Sequence, residues 1–161
     1  MISNFAKFAR TNNSLIVFSN AFDHVEIFKK FYKDRVKPKE FGYIKINEDK
    51  ICFLEENLQC DLIQGQTNEL IRKNLLDAFT ESRYIITSTK FIIFPNKFGF
   101  KRVANRIFSG YVIQGAGKVV FEQGENEIII RCSGASKSLN IKARAIDALI
   151  IKDEIEASFE D

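Results

Sequence analysis

The sequence is poor in the side chains from which metal centres and disulfide frameworks are built. It has one histidine, His24, and three cysteines, none of them in a Cys-x-x-Cys spacing: Cys52, Cys60 and Cys132. An odd, widely spaced set of cysteines argues against a disulfide framework, and a zinc site needs more paired Cys and His ligands than this chain offers. The sequence therefore predicts no metal site and no cofactor.

Long apolar runs and flexible linkers are also lacking. No stretch approaches the roughly 20 apolar residues of a membrane-spanning helix, and the first residues lack the apolar core of a signal peptide. Only two prolines, Pro38 and Pro95, occur among 161 residues, and no Pro/Gly-rich linker separates one part from another. We expect one domain, or one domain with a helical appendage, in the cytoplasm, with a peripheral place at the membrane as an alternative.

Acidic residues are missing from one whole window. Residues 82–121 contain seven basic and no acidic residues, whereas residues 122–161 contain five basic and nine acidic residues. The window also holds eight aromatic residues, from Tyr84 to Phe121. Such asymmetry is typical of contact with an anionic partner, and it is equally compatible with an internal match between the basic middle and the acidic end.

The first half, residues 1–81, reads as helices with a β-hairpin. The pattern predicts a short helix over 4–10, a strand over 15–18 and then a helix capped by Ser19 or Asn20. The buried stripe of that helix is expected to contain Phe22, Val25, Phe28, Phe31 and Tyr32. A hairpin follows over 41–46 and 50–54, and a further helix over 67–79.

The second half, residues 82–161, reads as short strands followed by one helix. A hairpin is predicted over 84–87 and 90–94, with further strands over 100–108, 110–114, 117–122, 127–132 and 138–142. The final helix is predicted over 145–159, with Ile151, Ile155 and Phe159 buried and Asp153 and Glu154 facing water. Short strands with small turns indicate an antiparallel sheet that curls or closes.

The hairpin has the form of an apolar strand, a Thr, two polar residues, a basic residue and a second apolar strand, from Tyr84 to Phe94. It resembles the tight hairpin found early in bacterial PH-like and GRAM-type domains, and the resemblance covers roughly residues 82–158. It implies a small, bent, barrel-like sheet plugged by the final helix. It also implies a binding module for phosphoinositides, acidic membranes or proteins, without catalytic residues.

Lipid-binding members of that family often use basic residues in the first loops, and the matching positions here are Lys97, Lys101 and Arg102. Two departures from the family pattern make a protein-binding member as well supported as a lipid-binding one. The turn from Thr87 to Lys90 carries only one cation, and the helix-rich first half has no counterpart in the family. The predicted fold class is therefore α+β, with residues 1–81 and 82–161 as two parts or as one integrated domain.

No catalytic set stands out. Val112 and Val119 replace residues that a phosphate-binding loop over 110–118 would need, and His24, at the start of a helix, is expected at the surface. Glu55, Glu56 and Asp61 could supply paired carboxylates for acid–base catalysis, but nothing in the sequence indicates that they lie close together.

We expect a non-enzymatic module that docks an acidic membrane surface or an acidic protein through Lys97, Lys101, Arg102 and Arg106. The alternative is nucleic-acid binding by the same cations with exposed rings among Phe98, Phe100 and Phe108. A third reading is an enzyme whose site the sequence does not reveal. The simpler reading is that these rings form the core and have no role in binding.

Overall fold

The computed structural model describes residues 6–11, 14–33, 35–47, 50–55 and 82–156. The helix predicted over 67–79, and Phe159 of the final helix, lie outside these ranges.

Eight strands form a single antiparallel sheet. They are β1 (Ala6–Arg10), β2 (Leu15–Phe18), β3 (Glu40–Asn47), β4 (Lys50–Glu55), β5 (Ser82–Ile86), β6 (Phe91–Pro95), β7 (Gly115–Gln123) and β8 (Ile128–Ser133). Their order across the sheet is β4-β3-β1-β2-β6-β5-β7-β8. The two halves of the chain meet where Val17 of β2 pairs with Ile93 of β6. The predicted hairpins β3–β4 and β5–β6 are both confirmed.

Ala6–Arg10 is a strand, so the helix predicted over 4–10 is wrong. Ala6–Arg10 pairs on one side with β2 and on the other with β3, which satisfies its backbone groups through neighbours that are distant in sequence. The first helix follows two strands. The predicted arrangement of the first half, helices accompanied by a separate hairpin, is therefore wrong, because its strands belong to the common sheet.

Helix α1 (His24–Tyr32) begins at Asp23, whose carboxylate accepts a hydrogen bond from the Glu26 amide at 3.0 Å. The cap is thus Asp23 and not the predicted Ser19 or Asn20. The inner side consists of His24, Ile27, Phe28, Phe31 and Tyr32. Val25, predicted to be inside, is 46% exposed.

Helix α2 (Phe100–Ile107) replaces the strand predicted over 100–108. Val103, Ala104 and Ile107 are buried, so the apolar residues repeat with a helical period. No strand forms over 110–114, where the chain is a loop leading into β7. The strand predicted over 138–142 is reduced to β10 (Ile141–Lys142), which pairs with β9 (Ala135–Ser136).

Helices cover both faces of the sheet. Helix α3 (Ala145–Ile155) buries Ile151 and Ile155 against one face. It contacts both β3 and β8, which lie towards opposite ends of the strand order, so the sheet curls around it. Helices α1 and α2 pack on the other face. The predicted α+β class, with a curled antiparallel sheet and a C-terminal helix, is confirmed.

Candidate functional site

Helices α1 and α2 lie side by side and are joined by a hydrogen bond and by stacked rings. The Arg106 guanidinium donates from Nη1 to the carbonyl oxygen of Phe31, near the end of α1, at 3.0 Å. The Phe98 ring lies 4.7 Å from the Phe31 ring and 6.1 Å from the Tyr32 ring, measured between centroids. These contacts place the end of α1 beside residues 98–106, although the two segments are far apart in sequence.

The end of α1, the residues that follow it, and the segment before and within α2 contain seven cations, which we call the basic face: Lys29, Lys33, Arg35, Lys97, Lys101, Arg102 and Arg106. All are exposed except Arg106, which is half-buried. Within the described part of the chain, none of the seven has a carboxylate at ion-pair distance. The basic face therefore presents charge that the described residues do not neutralise.

Three guanidinium groups of the basic face are close enough to influence one another. Desolvation lowers the pKa of Arg106 from its usual value, and the positive charges of Arg102 and Arg35 lower it further. Like charges held together destabilise the free protein slightly and are relieved by an anion.

The four predicted contact residues lie in or next to α2. Lys97 is in the loop before α2, and Lys101, Arg102 and Arg106 are on α2 itself. Sequence reasoning missed Lys29, Lys33 and Arg35, because nothing in the local sequence shows that the end of α1 packs beside α2. The available signal was a run of six cations with one acid over 29–39.

The acidic end of the chain does not neutralise the basic face within the described residues. Glu154 accepts a hydrogen bond from the Asn20 amide at 3.0 Å, and Glu127 lies 3.9 Å from Lys152. Asp147 pairs with Arg144 at 2.8 Å. Asp147 and Glu154 of α3 thus form contacts elsewhere.

The three candidate stacking rings are engaged in packing to different degrees. Phe108 is 2% exposed and its ring is not available to a base. Phe100 packs on Phe94 and is covered by the Arg83 guanidinium, 4.8 Å from the ring centroid. Phe98 is partly exposed, but its ring packs against Phe31 at the end of α1.

A cleft of about 330 Å³ adjoins the basic face between the start of α1, the end of α2 and Lys90. Its apolar lining is Phe22, Ile27, Ile107 and Tyr111, and its charged lining is Asp23, Glu26, Lys30, Lys90 and Arg106. Arg106 belongs both to the cleft and to the basic face, so the two are continuous.

A second polar cluster is buried under the start of α3. Asp147 accepts hydrogen bonds from the Tyr84 hydroxyl and from the Arg144 backbone and side chain. Burial and the Asp147 carboxylate raise the pKa of Tyr84, and burial raises the pKa of Cys132 to about 12. The hydrogen bonds of Asp147 anchor the start of α3 to β5 and to the residue before the helix.

His24 is buried, and its predicted surface position is wrong. Its Nε2 lies 2.6 Å from the carbonyl oxygen of Gly42, and its ring packs against Phe18, Phe41 and Tyr43. Strand β3 closes over the first turn of α1 and encloses the ring. The described residues contain no group of three or more His, Cys, Asp or Glu side chains arranged to hold a metal ion.

Among the described residues, no helix is both long and apolar enough to cross a membrane. Comparison with protein-family models, with curated proteins and with solved structures finds no match to this chain.

Proposed function

We propose that the protein is a non-enzymatic docking module whose basic face binds an acidic segment of another protein. The observation that carries this proposal is that α1 packs beside α2 and brings together cations that have no carboxylate at ion-pair distance among the described residues. The curled antiparallel sheet that ends in a helix supports the resemblance to PH-like domains, which serve as such modules.

The cleft favours a protein over a membrane as the partner. Asp23 and Glu26 stand at its rim beside Lys90 and Arg106, so the charge changes sign over a short distance. A uniformly anionic lipid surface would meet those carboxylates with repulsion, whereas a peptide can place groups of either kind where they fit. The packing of Phe98, Phe100 and Phe108 leaves few ring faces for bases and disfavours nucleic acid.

The first test compares two double charge reversals of equal magnitude. Lys101→Glu with Arg102→Glu alters the basic face, and Lys137→Glu with Lys142→Glu alters exposed residues at β9 and β10. At low salt we expect the first pair to weaken binding of a labelled polyglutamate peptide about tenfold or more and the second less than about twofold. Fluorescence anisotropy measures both.

The same variants are tested with vesicles containing phosphatidylserine and with single-stranded oligothymidine. Equal peptide binding by the two double variants would overturn the role of the basic face. Binding of vesicles or oligonucleotide without binding of the peptide would overturn the acidic-protein partner and favour the membrane or nucleic-acid alternative.

A further inference from the structure

We propose that the cleft next to the basic face is a specificity pocket that binds an apolar side chain of the partner together with an adjacent carboxylate. This inference rests on the proposed function and adds to it the chemistry that the partner must present: an acidic segment interrupted by one large apolar residue.

The lining of the cleft provides an apolar seat. Ile27 and Ile107 are 2% and 5% exposed and lie at its base, while Phe22 is half-buried and Tyr111 is 45% exposed. A volume of about 330 Å³ is at the lower end of the range of ligand pockets, roughly 300–1,000 Å³, and exceeds what a lone small anion would fill. The walls therefore suit a side chain.

The charges around this seat do not cancel. Glu26 is paired with Lys30 at 2.8 Å, and Asp23 accepts the amide of Glu26 as the helix cap. Lys90 and Arg106 have no carboxylate at ion-pair distance among the described residues. Three cations (Lys30, Lys90 and Arg106) and two carboxylates (Asp23 and Glu26) line the cleft, which leaves a net charge of +1 to attract an anion.

Lys90 is held at a position next to the apolar lining of the cleft, where it can also bind the carboxylate of the partner. Its Nζ donates to the Tyr111 hydroxyl at 2.8 Å and lies 4.6 Å from the Tyr111 ring centroid and 5.6 Å from that of Phe22. An ammonium group has three donors, so the bond to Tyr111 leaves capacity for a ligand carboxylate. The rings of Phe22 and Tyr111 hold the ammonium group between the apolar and the charged lining of the cleft.

Continuity with the basic face fixes the order of groups in the partner. Arg106 lines the cleft and also belongs to the basic face, next to Arg102 and Arg35. A segment that crosses the basic face with its carboxylates thus reaches the cleft without a break. Its apolar residue packs against the cleft lining formed by Phe22 and Tyr111, and the neighbouring carboxylate meets Lys90, which lies over both rings.

The experiment uses the full chain and two synthetic peptides of about nine residues, all glutamate except for a central Trp or a central Ser. The chain contains no tryptophan, so the peptide supplies the only indole emission. We expect the Trp peptide to bind about tenfold tighter than the Ser peptide, as for a buried aromatic anchor, with a blue shift of its emission.

Two variants locate the effect. Lys90→Gln should reduce the preference for Trp to less than about threefold while changing Ser-peptide affinity little, because a peptide carboxylate is held beside Lys90 only when an apolar residue occupies the cleft. Ser109→Tyr fills the cleft from an exposed position and should abolish the blue shift. Lys137→Gln, an exposed cation elsewhere, serves as the control, and thermal unfolding verifies that each variant is folded.

The outcomes separate the two proposals. Equal affinity for both peptides without a blue shift overturns the pocket and leaves the basic face standing. A Lys90→Gln variant that weakens both peptides equally also overturns the pocket. If both peptides fail to bind at low salt, the proposed function is overturned, and the pocket with it.

Discussion

At the scale of single residues, Glu154 is a carboxylate whose ionisation the fold opposes. Burial raises its pKa above the usual 4.5, although hydrogen bonds from the Asn20 amide and from Ser19 act in the opposite direction. The folded protein therefore holds this proton more tightly than the unfolded chain. The stability that this provides is fully present below the unfolded-state pKa and is lost as the pH rises through the folded-state pKa.

Glu154→Gln should isolate that dependence, because glutamine keeps an oxygen acceptor for the Asn20 amide and cannot ionise. We expect the variant, compared with the unaltered protein, to be relatively more stable at pH 7 than at pH 4. Urea unfolding at both pH values measures the difference. Asp153→Asn, at an exposed neighbouring position, is the control and should show little change. An identical difference at the two pH values for Glu154→Gln would contradict the prediction.

At the scale of elements, strand β7 depends on glycine for its contact with the start of α3. A Cβ on Gly115 would lie 2.1 Å from Oδ2 of Asp147, and one on Gly117 would lie 2.4 Å from the Ser133 carbonyl oxygen. Asp147 cannot move aside, because Tyr84 and Arg144 hold its carboxylate. The glycines that resemble a phosphate loop in sequence are thus required for close packing between elements.

We therefore predict that Gly115→Ala lowers the free energy of unfolding by about 2–3 kcal/mol, since the added methyl group overpacks a site that cannot relax. Gly99→Ala is the matched control. It has no atom within 4 Å of the added Cβ, and we expect a change of less than about 1 kcal/mol at this N-cap position. Urea unfolding measures both variants, and equal stability of the two would show that the approach of α3 to β7 is not tight.

The elements differ in how far sequence alone predicts them. The β5–β6 hairpin was predictable because apolar runs flank a short polar turn that forms its own hydrogen bonds around Thr87. Helix α2 was also predictable in principle, since Phe100, Val103, Ala104 and Ile107 follow a helical period. Strand β1 was not, because its pairing partners, β2 and β3, decide its conformation against local preference.

The candidate site divides in the same way. Composition alone pointed to Lys97, Lys101, Arg102 and Arg106, because the absence of acid is visible in a local window. The contribution of α1 and the existence of the cleft depend on how α1 packs beside α2. That packing is set by contacts such as Arg106 with Phe31, which link positions 75 residues apart.

At the scale of the whole molecule, the two halves of the chain, which differ in composition, share one sheet and the hydrophobic cores on its two faces. Strand β2 pairs with β6, and the core around α3 includes Phe8 and Ile44 from the first half and Tyr84 and Phe121 from the second. A cut between residues 81 and 82 would leave both halves with exposed strand edges and incomplete cores. The chain is therefore expected to fold as one cooperative unit.

Trp reporters placed in each half test this cooperativity. Phe41→Trp in β3 and Phe98→Trp before α2 replace half-buried rings, and both should report the same urea midpoint and slope. Adding Ile93→Val, a buried position facing Val17, should destabilise the protein by about 1 kcal/mol in both reporter backgrounds. Val112→Ala, at a side chain that is 76% exposed, should change neither. Two distinct midpoints, or a shift seen only by the Phe98→Trp reporter, would mean that the halves unfold independently despite their shared sheet.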